Sequence, residues 1–133
     1  MMTKIFEMNI NIKPVPASRP RVTKFGTYIA NPYKDYKATL KALILIDKTR
    51  KEISEKPIFL RTYFTFEKPK SWSQIKKSNA NYHTSKPDTD NLVKAVKDSL
   101  SGIIYKDDSQ VSYLDAHKLY GEKNNIFVEV FEL

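Results

Sequence analysis

Ile58-Phe59-Leu60-Arg61-Thr62-Tyr63-Phe64-Thr65-Phe66 is the run on which the fold turns. Successive side chains of a strand point to opposite faces. Ile58, Leu60, Thr62, Phe64 and Phe66 therefore share one side, and Phe59, Arg61 and Tyr63 the other. Apolar residues on both faces predict a central strand. Towards the N-terminus, Phe6, Met8, Ile10 and Ile12 alternate with Glu7, Asn9 and Asn11, the period of a half-buried strand. Pro14, Pro16 and Pro20 keep the next segment extended. Residues 23–29 read as a short strand or a hairpin broken at Gly26, and Asn31 and Pro32 as the N-cap and first position of a helix. That helix carries Tyr33, Tyr36, Leu40, Leu43 and Ile44 on one face. Towards the C-terminus, residues 67–87 are polar and basic around Trp72, the only tryptophan, with one helical turn expected after Ser71. A second helix is expected over 90–101, because Leu92, Ala95, Val96, Ser99 and Leu100 recur at helical spacing and Gly102 supplies a stop. Two strand-like runs, 111–120 and 126–131, close the chain as a strand pair. The order predicts an α/β protein of the α+β type: one domain spanning residues 1–133, with a mixed β-sheet and two main helices.

The composition narrows the function classes. A length of 133 residues suits one domain, and 41% hydrophobic residues give it material for a core. Cysteine is absent, which excludes a thiolate nucleophile and any Cys-ligated metal site. The formal net charge of +8 points to an anionic partner, nucleic acid first. No apolar run is long enough for a membrane span and no signal-peptide core is visible, so the protein is expected to be soluble, not exported and without a membrane partner.

The chemistry-bearing stretch is Lys86-Pro87-Asp88-Thr89-Asp90-Asn91-Leu92-Val93-Lys94, followed by the pair Asp107-Asp108. Asp88 and Asp90 sit two apart at a helix start, and an extended backbone there would point both carboxylates to the same side. Taken singly, each acidic cluster is accounted for by helix capping or by a solvated turn. Taken together, in a basic chain, converging carboxylates repel unless a hard divalent cation lies between them, and magnesium is the natural candidate. Lys94, one turn after Asp90, is either a surface ion-pair partner or a cation facing a metal-held phosphate. An EF-hand loop does not fit, because Leu92 and Val93 stand where a ligand and a glycine are needed. A phosphoaspartate mechanism fits poorly, since the segment before Asp88 is polar and ends in proline.

These residues resemble the RusA family of Holliday junction resolvases. The likeness is carried by the Asp88–Lys94 block, by Asp98, Leu100 and Gly102, and by Tyr105-Lys106-Asp107-Asp108-Ser109-Gln110-Val111. Arg19-Pro20-Arg21, Asn31-Pro32-Tyr33 and Lys118 extend it over nearly the whole chain. The family's best-known member carries Arg immediately before the first motif Asp, where this chain has Pro87, with Lys86 one position earlier. The resemblance implies a RusA-like fold and a homodimeric endonuclease that cuts branched DNA, above all four-way junctions, in recombination and repair. It implies magnesium, with manganese as a substitute, and no organic cofactor. Asp88, Asp90 and Asp108 would bind the metal, Asp107 would be a further acid, and Lys94 an essential lysine. A bacterial or phage origin and a cytoplasmic location follow from the same likeness.

On that reading, Arg19, Arg21, Lys24, Lys86 and Lys118 contact the DNA backbone, giving salt-sensitive affinity with little sequence information. Tyr28, Tyr33 and Trp72 are candidates for stacking on bases, with core or loop packing the favoured role. His83 and His117 lack ligand spacing and read as structural. Two other classes of function stand beside the nuclease. One is a non-catalytic module that binds branched DNA through its basic surface. The other is a phosphatase or receiver-like domain phosphorylated on Asp88.

Overall fold

Strand β4 (Ile58–Glu67) runs through the middle of a four-stranded mixed sheet, the position its two apolar faces require. The structure is a computed structural model, and it describes residues 2–18, 21–28 and 31–133. The strand order is β1 (Thr3–Ile10), β6 (Asn125–Glu132), β4, β5 (Val111–Gly121). β4 is antiparallel to β6 and parallel to β5. Residues 111–120 and 126–131, expected as a directly joined strand pair, are separated by β4. The connection between them crosses the end of β4, where the Glu67 amide donates to Asn124 Oδ1 (2.8 Å) and the Lys68 amide to Gly121 O (3.1 Å). The approach is close: a Cβ on Gly121 would lie 2.6 Å from Thr65 Cγ2, so glycine is the residue that fits.

β1 begins at Thr3 and stops at Ile10, short of the expected Ile12, its pairing with β6 ending at Ile126. There the Asn125 side-chain amide ties the chain off by donating to Asn9 Oδ1 (2.6 Å), Ile10 O (3.2 Å) and Asn11 Oδ1 (2.9 Å). The hairpin expected around Gly26 is present as β2 (Arg21–Thr23) and β3 (Gly26–Tyr28), with Gly26 at φ 123°.

The helices are α1 (Asn31–Ile46), the short α2 (Gln74–Asn79) and α3 (Thr89–Leu100). The expected turn after Ser71 is α2, capped by the Ser73 hydroxyl, which accepts from the Lys76 amide. α3 stops at Leu100, before Gly102 at φ 82°. α1 and α3 pack on one face of the sheet. Tyr33, Tyr36, Leu40 and Ile44 of α1 and Leu92, Val96 and Leu100 of α3 join Ile58, Leu60, Phe64, Val128 and Val130 in one core. Burial of such side chains is the main favourable term holding the layers together. Phe59, also buried, stands outside that cluster on the opposite face of the sheet. Among the described residues, no helix is long and apolar enough to cross a membrane.

Candidate functional site

The start of α3 positions the acidic block. Asp88 is the N-cap residue, in extended conformation, yet its carboxylate makes no capping hydrogen bond and is exposed. The loop leading to it is fixed from the sheet: Lys118 Nζ, on β5, donates to Ser85 O (2.6 Å) and Pro87 O (2.8 Å), and the His83 amide donates to Lys118 O (3.1 Å). The His83 ring packs against Phe66 and Tyr120, with centroids 4.4 and 4.7 Å away. Burial, and then the nearby Lys118 cation, hold this imidazole below its ordinary pKa and so favour the neutral form. From the other side, the Ala17 amide donates to Asn91 O (2.9 Å), pinning the proline-rich segment to the first turn of α3.

Asp90, on that first turn, and Asp108, far along the chain, line one cleft of about 250 Å³ together with Lys94, Lys97, Val93 and Leu114. Among the described residues, neither carboxylate accepts a hydrogen bond from protein. Asp108 is delivered by a single 3₁₀ turn, Asp108–Gln110, closed by a capping box. Asp107 accepts from the Ser109 amide (3.1 Å) and hydroxyl, and its own amide donates to Gln110 Oε1 (2.8 Å). Gln110 Nε2 in turn donates to Ser54 O (3.0 Å) and Lys56 O (2.9 Å), anchoring the turn to the body of the domain. The Ser109 hydrogen bonds hold the Asp107 carboxyl below the usual carboxylate range. Asp107 is thus engaged in shaping the turn that presents Asp108.

Lys94 lies in the same cleft, 3.5 Å from Asp98 Oδ2, one turn further along α3. Tyr33 Oη donates to that same carboxylate oxygen (3.1 Å). Burial, and then the Asp98 charge, push the Tyr33 phenol up to about 12, so it stays a protonated donor. Asp98, named in the sequence only as part of the motif match, therefore restrains Lys94, and Tyr33 holds Asp98. The signal was present in the spacing: Asp90, Lys94 and Asp98 recur every four residues and form one stripe of the helix. Tyr33 is buried in the core, the packing role favoured for it over base stacking.

Asp88 lines a second, larger cleft of about 600 Å³, with Lys13 and Lys86 and an apolar wall of Pro14, Val15 and Phe66. The structure thus brings Asp90 and Asp108 together and places Asp88 in the adjoining depression. Among the described residues, no three acidic or histidine side chains stand close enough to enclose a metal ion by themselves. Of the expected DNA-binding cations, Lys86 borders the Asp88 cleft and Lys24 is exposed, 5.1 Å above the Phe25 ring. Lys118 has two of its three donors engaged by carbonyls. Arg21 lies on β2, and Arg19 falls outside the described residues. Trp72 packs edge-on against Tyr120 (5.0 Å) with Lys76 over its ring (4.3 Å). His117 stacks on Tyr63 (4.4 Å) and lies 2.8 Å from Asp115, in keeping with a structural role.

The family model described as endodeoxyribonuclease RusA matches residues 11–131. The chain belongs to the RusA family. Two relatives accompany that match. The crossover junction endodeoxyribonuclease rusA of Lactococcus phage r1t is 38% identical over 100 residues, covering 71% of this chain and 70% of that protein. The uncharacterized protein YqaN of Bacillus subtilis (strain 168) is 34% identical over 130 residues, covering 91% and 92%. The RusA match takes in the acidic residues, Lys94 and the basic edge, and family membership makes the chain an endodeoxyribonuclease by descent.

Proposed function

We propose that residues 1–133 form a magnesium-dependent, structure-selective endodeoxyribonuclease that resolves four-way junctions and related branched DNA, working as a homodimer in recombination and repair. Its setting is the cytoplasm of a bacterium, whether the gene is bacterial or phage-borne, and manganese substitutes for magnesium. The observation that carries the reading is the shared cleft of Asp90 and Asp108, two carboxylates that accept no hydrogen bond from the other described residues and lie beside a cation, Lys94. Such a donor set fits magnesium, which is commonly held by one or two carboxylates and completes its shell with water and substrate phosphate rather than a protein cage. Asp90 and Asp108 would hold the ion, with Asp88 reaching it or a second ion from the adjoining cleft. When bound, the metal would supply a nucleophilic water near neutral pH and offset charge on the phosphate.

The remaining work falls to the chain itself. Lys94 places a positive charge against the scissile phosphate, where charge accumulates in the transition state. Asp98 and Tyr33 limit the rotamers Lys94 can take, which favours one orientation over a sweep through solvent. Lys86, Lys24, Arg19, Arg21 and the remaining donor of Lys118 take phosphates of the arms and set the register of the junction.

The test is a labelled synthetic four-way junction, incubated with and without magnesium beside a linear duplex of the same sequence. The parent protein should cut the junction only with the metal and leave the duplex intact. Asp90→Asn should retain junction binding in a gel-shift assay while cleavage disappears; unchanged cleavage by this variant rejects the site assignment. No cleavage by the parent protein at any magnesium concentration would favour the non-catalytic binding module.

A further inference from the structure

The larger of the two clefts at the start of α3 combines surfaces of unlike chemistry. Pro14, Val15 and Phe66 give it an apolar wall, Lys13 and Lys86 stand beside that wall as cations, and Asn91 faces it from the first turn of the helix. Its volume, about 600 Å³, is that of a site for one small molecule or one residue of a polymer. Each wall is held from outside the cleft. The Ala17 amide pins the proline-rich segment to Asn91 O (2.9 Å), Lys118 holds Ser85 O and Pro87 O (2.6 and 2.8 Å), and the buried Phe66 is backed by the His83 ring (4.4 Å). The cleft is therefore formed before anything enters it. Its polar side chains are nevertheless unengaged: among the described residues, those of Lys13, Lys86 and Asn91 make no hydrogen bond or ion pair.

Charge and position decide what fits. An apolar wall offers nothing to a bare phosphate, and two unpaired cations offer nothing to an aliphatic side chain. A nucleotide satisfies both, with the face of its base on the wall and its flanking phosphates on Lys13 and Lys86. The Asn91 amide carries both donors and an acceptor, which is what the edge of a base requires. Position gives the second argument. Asp88 belongs to this cleft and Asp90 to the one shared with Asp108 and Lys94, at the same end of α3. A strand whose scissile phosphate lies against Lys94 carries its neighbouring nucleotide past Asp88 to this cleft. In an intact duplex that nucleotide is paired and stacked, and withdrawing it costs both interactions. At a branch point the stack is already interrupted, and the cost falls.

We propose that this cleft receives one unstacked nucleotide of the strand being cut, its base against Pro14, Val15 and Phe66, and that the scissile phosphate seats in the cleft of Asp90 and Asp108 when it does so. The inference rests on the nuclease reading and deepens it. It names the feature of a branch that the protein detects, an unpaired base beside the phosphate rather than the crossing of four arms. Linear duplex is spared because it presents no such base, although its backbone can still meet the basic edge.

Fluorescence of 2-aminopurine tests the cleft without any cleavage. A synthetic four-way junction carries the analogue at one nucleotide at a time around the branch point, with EDTA present. Saturating parent protein should raise the emission several-fold at one position and leave the others near their values in the free junction. Val15→Trp, which fills the cleft, should remove that rise and weaken junction binding several-fold in gel shifts, with far-UV circular dichroism confirming its fold. A second measurement needs only the parent protein. An abasic nucleotide at the responsive position keeps every phosphate and should weaken binding several-fold, whereas the same change two nucleotides away should not. Emission that rises at no position or at all of them alike, a rise that persists in folded Val15→Trp, or an abasic penalty equal at every position would overturn the proposal. A position-specific rise in a protein that cuts nothing with magnesium keeps the cleft and rejects the nuclease reading. Junction cleavage without that rise does the reverse.

Discussion

Replacing Tyr33 by Phe removes one oxygen from a ring that is 5% exposed and leaves its packing unchanged. That oxygen donates to Asp98 Oδ2 at 3.1 Å, and the same acceptor lies 3.5 Å from Lys94 Nζ. A hydrogen bond to a charged acceptor contributes ~1.5–3 kcal/mol net. The Asp98 side chain retains 20% exposure, so water can replace part of the lost bond, and the lower end of the range, about 1.5 kcal/mol, is the expected loss. The ion pair from Lys94, whose side chain is 63% exposed, adds ~0.5 kcal/mol or less. For a domain of this size the Tyr33→Phe change should lower Tm by about 5 °C.

Thermal and urea unfolding followed by far-UV circular dichroism measure the loss directly. A cycle with Asp98→Asn isolates the pair: the two changes should be non-additive by about 1 kcal/mol, since each removes the same contact. On a junction substrate, the Tyr33→Phe enzyme should show a several-fold lower single-turnover rate with unchanged affinity, because Lys94 loses its restraint while the cations proposed to contact DNA keep their places. Additivity within ~0.3 kcal/mol would refute the coupling. An unchanged cleavage rate alongside the expected stability loss would show that Tyr33 acts on the fold alone.

Asp107→Ala removes the carboxylate that closes the 3₁₀ turn before β5, and should destabilise the protein near neutral pH. Because the folded-state pKa is depressed, this stabilisation is present above the unfolded value and is lost as the pH falls through the folded one, so parent and variant should converge in urea titrations run from about pH 5 downward. Lys118→Met removes the two hydrogen bonds to Ser85 O and Pro87 O that fix the approach to Asp88, and should raise hydrogen exchange across residues 83–90 and slow cleavage more than it weakens junction binding.

Local rules sufficed for most of the elements. The two apolar faces of residues 58–66, the helical spacing through 92–100 and the Gly102 stop each report an environment that a single segment needs, and each element formed within a few residues of its expected bounds. The strand order was not legible in the same way. β5 and β6 look like a hairpin in the sequence because the short stretch between their apolar runs, residues 121–125, is polar and opens with Gly121. What separates them is the demand of β4 for hydrogen-bonding partners on both edges, a non-local condition that pattern alone does not express. The aromatic row on the sheet face opposite α1 and α3 was hidden for the same reason: Phe59, Tyr113 and Phe131 become neighbours only once the register is known.

The acidic site shows how one change of backbone state redirects chemistry. Read as extended chain, Asp88 and Asp90 would point to one side. Asp88 is extended, with ψ 146°, but the helix begins at Thr89, so Asp90 already obeys helical geometry. The same-side alternation of an extended chain is therefore broken between them, and the two side chains part around the helix start. Asp88 borders the 600 Å³ depression and Asp90 the 250 Å³ cleft with Asp108. A ligand that engages both carboxylates must then lie across the N-terminus of α3, where the partial positive charge of the first-turn amides favours the phosphate of a DNA strand over a neutral group. On the proposed function, the divergence is what lets one helix end hold a cation through Asp90 and Asp108 while the strand carrying the phosphate continues past Asp88 into the depression lined by Lys13 and Lys86.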